Sequence, residues 1–253
     1  MKNNKVLIAA AVVTVLSVTV AIVSLIATWQ VTSREDNSET QTVEVPTFEE
    51  DLSQVAENDL QNHAQNLTID ETLTLSEQEN ADLLYMREEE KLARDVYLTL
   101  YDKWGLQIFQ NIASSEQKHT DSIKALLDAY GLADPFVDGI GNFANETLQQ
   151  LYDDLVAQGS ESAAAAARVG ALIEDLDIVD LENAMAATDN EAIITVYQNL
   201  QNGSKNHLRS FTSTLSRYGE SYEPSYLTQD EYLEIISGAM QRGNGNGSGN
   251  GGH

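Results

Sequence analysis

The chain has 253 residues, with 14 Lys and Arg against 40 Asp and Glu, no cysteine and a formal charge of -26. So negative a chain repels a phosphate backbone, which argues against nucleic acid as a partner. Without thiols there is no disulfide framework, thiolate catalysis or sulfur-ligated metal, so any metal site must use carboxylates and imidazoles.

The charge is unevenly spread. Residues 1–31 carry +2, residues 32–74 carry -10, residues 75–241 carry -19 and residues 242–253 carry +1. This division predicts a membrane anchor or signal segment, an acidic disordered stalk, a folded domain and a Gly/Asn-rich disordered tail, in that order.

Val6 to Thr28 contains no charged residue. As a helix it would span roughly 34 Å, enough for a bilayer core. Lys2 and Lys5 precede it and acids follow, which keeps the N-terminus in the cytoplasm and sends the rest across. The expected location is the cell membrane, single-pass, with the domain outside the cytoplasm; cleavage as a signal peptide would instead give a secreted protein. The stalk is too polar to fold by itself.

The first domain helix opens on the capping box Ser76-Glu-Gln-Glu79 and closes at Gly105. Its apolar face runs through Leu83, Met86, Ala93, Tyr97, Leu100 and Trp104, with Glu90 on the same face. The second helix runs from about Ile108 to Tyr130 and carries Phe109, Ile112, Ile123 and Leu126, with Glu116 and His119 among them. A connection of about 30 residues follows, with a short amphipathic helix at 145–157. The third long helix occupies roughly 161–187, its inward stripe passing through Gly170, Glu174, Asp177, Leu181 and Ala184. A second capping box, Thr188 to Glu191, is expected to open the fourth. That helix bears Ile193, Tyr197, Leu200, Ser204, His207, Phe211, Leu215 and Tyr218, with no phase break at Gly203. A last short helix follows Thr228.

Two helical hairpins joined by one long crossover describe an all-α, ferritin-like four-helix bundle preceded by an N-terminal transmembrane helix. Glu90, Glu116, His119, Glu174, Asp177 and His207 all fall on faces meant for the core, and buried carboxylates need a counter-charge. A pair of divalent metals would supply it. Glu116 and His119, three apart on one helix, reach one centre, and oxygen with nitrogen donors suits iron or manganese. Asp175 is expected to be solvated and Tyr97 to be packing. Four acids, or three, are expected to turn inward to hold metal, and most of the others outside the stalk to coat helix surfaces.

Glu90-Lys-Leu-Ala93-Arg-Asp-Val-Tyr97 and Ile112-Ala-Ser-Ser-Glu116-Gln-Lys-His119 resemble the first- and second-helix patterns of rubrerythrin-type di-iron carboxylate proteins in the ferritin-like superfamily. Residues 75–220 as a whole resemble the DUF2202 family, through EEEKLARDVY, NIASSEQKHTDSI, ALIEDLDIVDL and NGSKNHLRSF. The resemblance implies a di-iron or iron/manganese centre that reduces peroxide or dioxygen, or oxidises ferrous iron. The fourth helix departs from that pattern: Ser204 stands where a carboxylate is expected, and Asp177 is the candidate to replace it. The alternative is a surface binding or structural module with a degenerate or structural metal site. Expected partners are the membrane, an external electron donor if the domain turns over, and a second copy of the chain.

Overall fold

The computed structural model describes residues 74–238. The segments expected to be anchor and tail, and nearly all of the expected stalk, lie outside the described residues. Among these residues there are six α-helices and no strand, and no helix is long and apolar enough to cross a membrane.

Helix α1, Glu77–Trp104, starts at the Ser76 capping box and stops at Gly105, whose positive φ of 65° ends the helix as expected. Helix α2 spans Gln107–Tyr130, α3 Glu146–Gly159, α4 Ala163–Ala186, α5 Glu191–Arg217 and α6 Gln229–Ser237. Asn145, Ser162 and the Thr228 capping box close the open N–H groups of α3, α4 and α6. The expected capping box at 188–191 does not form. Asn190 caps α5 instead, and Thr188 gives its hydroxyl hydrogen to Glu79 Oε1 on α1 at 2.5 Å. A partner from another helix has won over the local one.

Helices α1 and α2 form one antiparallel hairpin, α4 and α5 the other, and the pairs meet along α1–α4 and α2–α5. Helix α3 lies against α1 and α4, and α6 against α5. The core is stacked in layers along the bundle. One layer joins Leu83, Met86, Ile123, Leu126, Leu181, Ile193, Tyr197 and Leu200. Another is the ring cluster of Tyr97, Phe109 and Phe211, with centroids 5.2–6.0 Å apart. On α1, α2 and α5 the polar candidates fall between these layers in sequence, so folding brings them to one level. Tyr218, expected on the inward stripe, caps the end of α5 and is exposed.

The crossover is strapped to the outer face of α1. Lys91 Nζ donates to Asp95 Oδ2 at 2.5 Å and to the carbonyls of Gly139 and Asn142. Asp95 accepts from Gly141 N, and Glu88 Oε1 accepts from Ala144 N and Asn145 N. Arg87 pairs with Asp134 at 2.9 Å. Lys91 and Asp95 are both fully buried, and this network of donors and acceptors offsets their desolvation.

Candidate metal centre

Glu90 on α1, Glu116 and His119 on α2, Glu174 on α4 and His207 on α5 converge in the bundle interior, each at most 8 % exposed. They form two sets of three. Ligand atoms of Glu90, Glu116 and His119 lie within 4.8 Å of one another, and so do those of Glu116, Glu174 and His207. Glu116 belongs to both.

The spacings within the sets are short. His119 Nδ1 is 2.8 Å from Glu116 Oε2 and 3.2 Å from Glu90 Oε2. His207 Nδ1 is 2.7 Å from Glu116 Oε1 and 3.4 Å from Glu174 Oε2. The two imidazole rings are near-parallel, 5.7 Å apart. Glu90 Oε1, Glu116 Oε1 and His207 Nδ1 are buried without a hydrogen-bond partner, although the last two are 2.7 Å apart. Closeness without hydrogen-bond alignment leaves these atoms unsatisfied by one another. Buried oxygen and nitrogen acceptors left in that state fit a divalent cation.

The electrostatics of the metal-free site say the same. Burial penalises the charge on His207, but Glu116 and Glu174 outweigh it and lift the imidazole to about 10. His119 is raised by Glu116 and Glu90 against the same desolvation. Glu90 is pushed up by burial to about 7 despite His119. Burial also works against the Glu116 carboxylate, yet the two flanking imidazoles hold it well below the usual range. Protons on two histidines thus stand where cations would otherwise balance the carboxylates.

Asp177 is buried but outside both sets. Its Oδ2 accepts from Ser204 Oγ at 2.5 Å, while Oδ1 has no partner. The residue in place of the expected fourth-helix carboxylate therefore binds the acid proposed to replace it. Tyr97 does more than pack: its hydroxyl donates to Glu174 Oε1 at 2.5 Å and orients it. Gly203 makes room for the centre, since a Cβ there would stand 2.7 Å from His119 Nε2.

One expectation about acids fails. Asp175 is fully buried, and it accepts from Tyr222 Oη and from the backbone N–H groups of Ser225, Tyr226 and Leu227. Eight acids among the described residues are buried: Glu88, Glu89, Asp95 and Asp175 in addition to Glu90, Glu116, Glu174 and Asp177.

Comparison with known proteins finds a match to the family described as uncharacterized protein domain DUF2202 over residues 79–239. The uncharacterized protein MJ0754 of Methanocaldococcus jannaschii is 55 % identical over 170 residues, covering 67 % of this chain and 92 % of the relative. The crystal structure of the hypothetical protein MJ0754 from Methanococcus jannaschii matches with a TM-score of 0.66 at 53 % identity, covering 67 % of this chain and 98 % of that one.

Proposed function

The chain belongs to the DUF2202 family, and on that premise we propose that its bundle is a ferritin-like di-metal protein. Iron or manganese is the metal, held by Glu90, Glu116 and His119 on one side and by Glu116, Glu174 and His207 on the other. The observation that carries this reading is the sharing of Glu116 between two buried ligand sets. Such a pair, when bound, would supply electron transfer to peroxide or dioxygen, or take electrons from ferrous iron.

The protein's own contribution is binding, orientation and proton handling. The Tyr97 hydroxyl holds Glu174 in place. The carboxylates beside His119 and His207 favour the charged imidazoles, so each histidine would release a proton from the nitrogen that takes a metal ion. The apolar layers above and below keep bulk water away. Because the chain has no cysteine, the reductant comes from another molecule.

One observation favours a second reading, in which metal is held without turnover. Ser204 supplies no charge and ties up Asp177, so the site has three carboxylates rather than four. We propose in addition that the uncharged segment 6–28 anchors the domain outside the cytoplasm, on the strength of its length and flanking charges.

Metal analysis of the purified full chain after iron or manganese loading tests the proposal. Two equivalents per chain with consumption of peroxide or dioxygen support the enzymatic reading, and two firmly bound equivalents without turnover support the second. Absence of metal, with unchanged stability in a Glu116→Ala, His119→Ala variant, overturns both.

A further inference from the structure

Asp177 of α4 and Ser204 of α5 form a pair that neither ligand set uses. Asp177 stands three residues past Glu174 and Ser204 three before His207, so each lies one helical turn, about 4.5 Å along the axis, from a candidate ligand. The pair thus falls between the centre and the apolar layer that holds Leu181 and Leu200. Both residues are buried, Ser204 completely. Beside them Gln201 Nε2 donates to Ile178 O at 3.1 Å, which ties α4 to α5 at this level.

The close contacts of the pair outnumber the hydrogens of the serine. Ser204 Oγ lies 2.5 Å from Asp177 Oδ2 and 3.0 Å from Leu200 O, and a hydroxyl has one hydrogen to give. Two arrangements satisfy these positions. With Asp177 ionised, the hydroxyl donates to Oδ2. With Asp177 neutral, its Oδ2–H donates to Ser204 Oγ, which in turn donates to Leu200 O, and both contacts carry a hydrogen. The second arrangement also avoids a buried charge met by a single hydroxyl, since Oδ1 has no partner. Burial lifts the Asp177 carboxyl well above the usual range, and Glu90 and Glu174 add to this against the Ser204 hydroxyl. Passing between the two arrangements moves hydrogens and no heavier atom.

We propose that Asp177 and Ser204 form a proton-holding pair for the centre, in which neutral Asp177 gives up its hydrogen to peroxide as the O–O bond breaks. The delivery rests on the peroxide-reducing reading given above, whereas the protonation of the pair does not. Hydrogen peroxide becomes two waters by taking two electrons, from the external reductant, and two protons. Metal uptake removes the protons of His119 and His207, and Tyr97 commits its own to Glu174. Asp177 bonds to no member of either ligand set, so it keeps its hydrogen when they are metallated. Breaking its O–H bond leaves the electron pair on the carboxylate, and the Ser204 hydrogen turns from Leu200 O to meet the new charge. The second proton, and the one that restores Asp177, enter from solvent as product leaves.

Infrared spectra of the metal-free full chain test the protonation. The wild type is expected to show a carbonyl band of a neutral carboxyl group that shifts in D2O and is missing from Asp177→Asn. Ser204→Ala should move that band to higher frequency, because its hydrogen bond is gone, and this variant carries the test if Asp177→Asn fails to fold. The band should survive loading with redox-silent Zn²⁺. Loss of carboxylate rather than neutral-carboxyl absorption in Asp177→Asn, or loss of the band on Zn²⁺ loading, overturns the pair. Delivery is read on the iron-loaded chain, where Asp177→Asn should keep both metal equivalents and the KM for peroxide but lower kcat about a hundredfold. Unchanged kcat overturns delivery. A chain that takes up no metal overturns the centre instead, and the metal-free band still decides on the pair.

Discussion

Gly203 and His119 are in direct apposition: a Cβ added to the glycine would lie 2.7 Å from Nε2 and 2.8 Å from Cε1 of the ring. The glycine sits midway along α5, where alanine would ordinarily stabilise the helix by about 1 kcal/mol. Here Gly203→Ala is expected to do the reverse, destabilising by about 1–3 kcal/mol through overpacking. It should also displace His119 and lower the metal content. Urea unfolding and metal analysis of the variant check both effects.

The shared ligand should behave differently from the unshared ones. Glu116→Gln is expected to abolish retention of both metal equivalents through gel filtration. Glu90→Gln and Glu174→Gln should each weaken one equivalent and leave the other. Asp177→Asn, altering a group outside both sets, should retain two.

Tyr97→Phe keeps the aromatic cluster but removes the hydroxyl that donates to Glu174. Loss of a hydrogen bond to a buried carboxylate should cost about 1.5–3 kcal/mol in the metal-free protein. Metal affinity on the Glu174 side should fall by about tenfold, since an orienting partner of a ligand is gone. Calorimetric melting and competitive metal titration read these separately.

In the metal-free protein, stability should decline as the solution becomes more alkaline. Burial opposes the charged form of His207, yet Glu116 and Glu174 raise it from 6.5 to about 10. A raised folded-state pKa contributes stability that is fully present below 6.5 and lost as pH rises through about 10. Glu90, raised by burial from 4.5 to about 7, acts in the same sense over a lower window. The melting temperature should therefore drop by roughly 5–10 °C between pH 6 and pH 10 without metal. Bound metal, replacing the protons, should flatten that profile, as scanning calorimetry across the range would show.

The helices and the inner residues were legible in the sequence for one reason. Periods of three and four mark a buried stripe, so Glu90, Glu116, His119, Glu174 and His207 announce themselves as polar interruptions of it. Caps at Ser76, Gly105 and Thr228 are local and equally readable. What escaped the reading is decided at a distance. Asp175 is buried by N–H groups as far as 52 residues away, and Glu88 by N–H groups 56 and 57 residues away. Backbone donors have no side-chain signature, so nothing in the sequence distinguishes Asp175 from a solvated acid. The same holds for Thr188, whose hydroxyl is taken by Glu79 from another helix. Tyr97 lies on the apolar stripe, and only the fold reveals that its hydroxyl meets Glu174.

The strapping of the crossover to α1 bears on whether the centre could be moved to another scaffold. Glu88, Lys91, Arg94 and Asp95 flank the candidate ligand Glu90 within a few residues and bind one another or the chain at 139–145. A grafted set of four helices without that connection would expose a buried lysine and several acids lacking their partners. Ligand and wrapping are written into the same turns of α1, so the transferable module is the hairpin together with its long return loop.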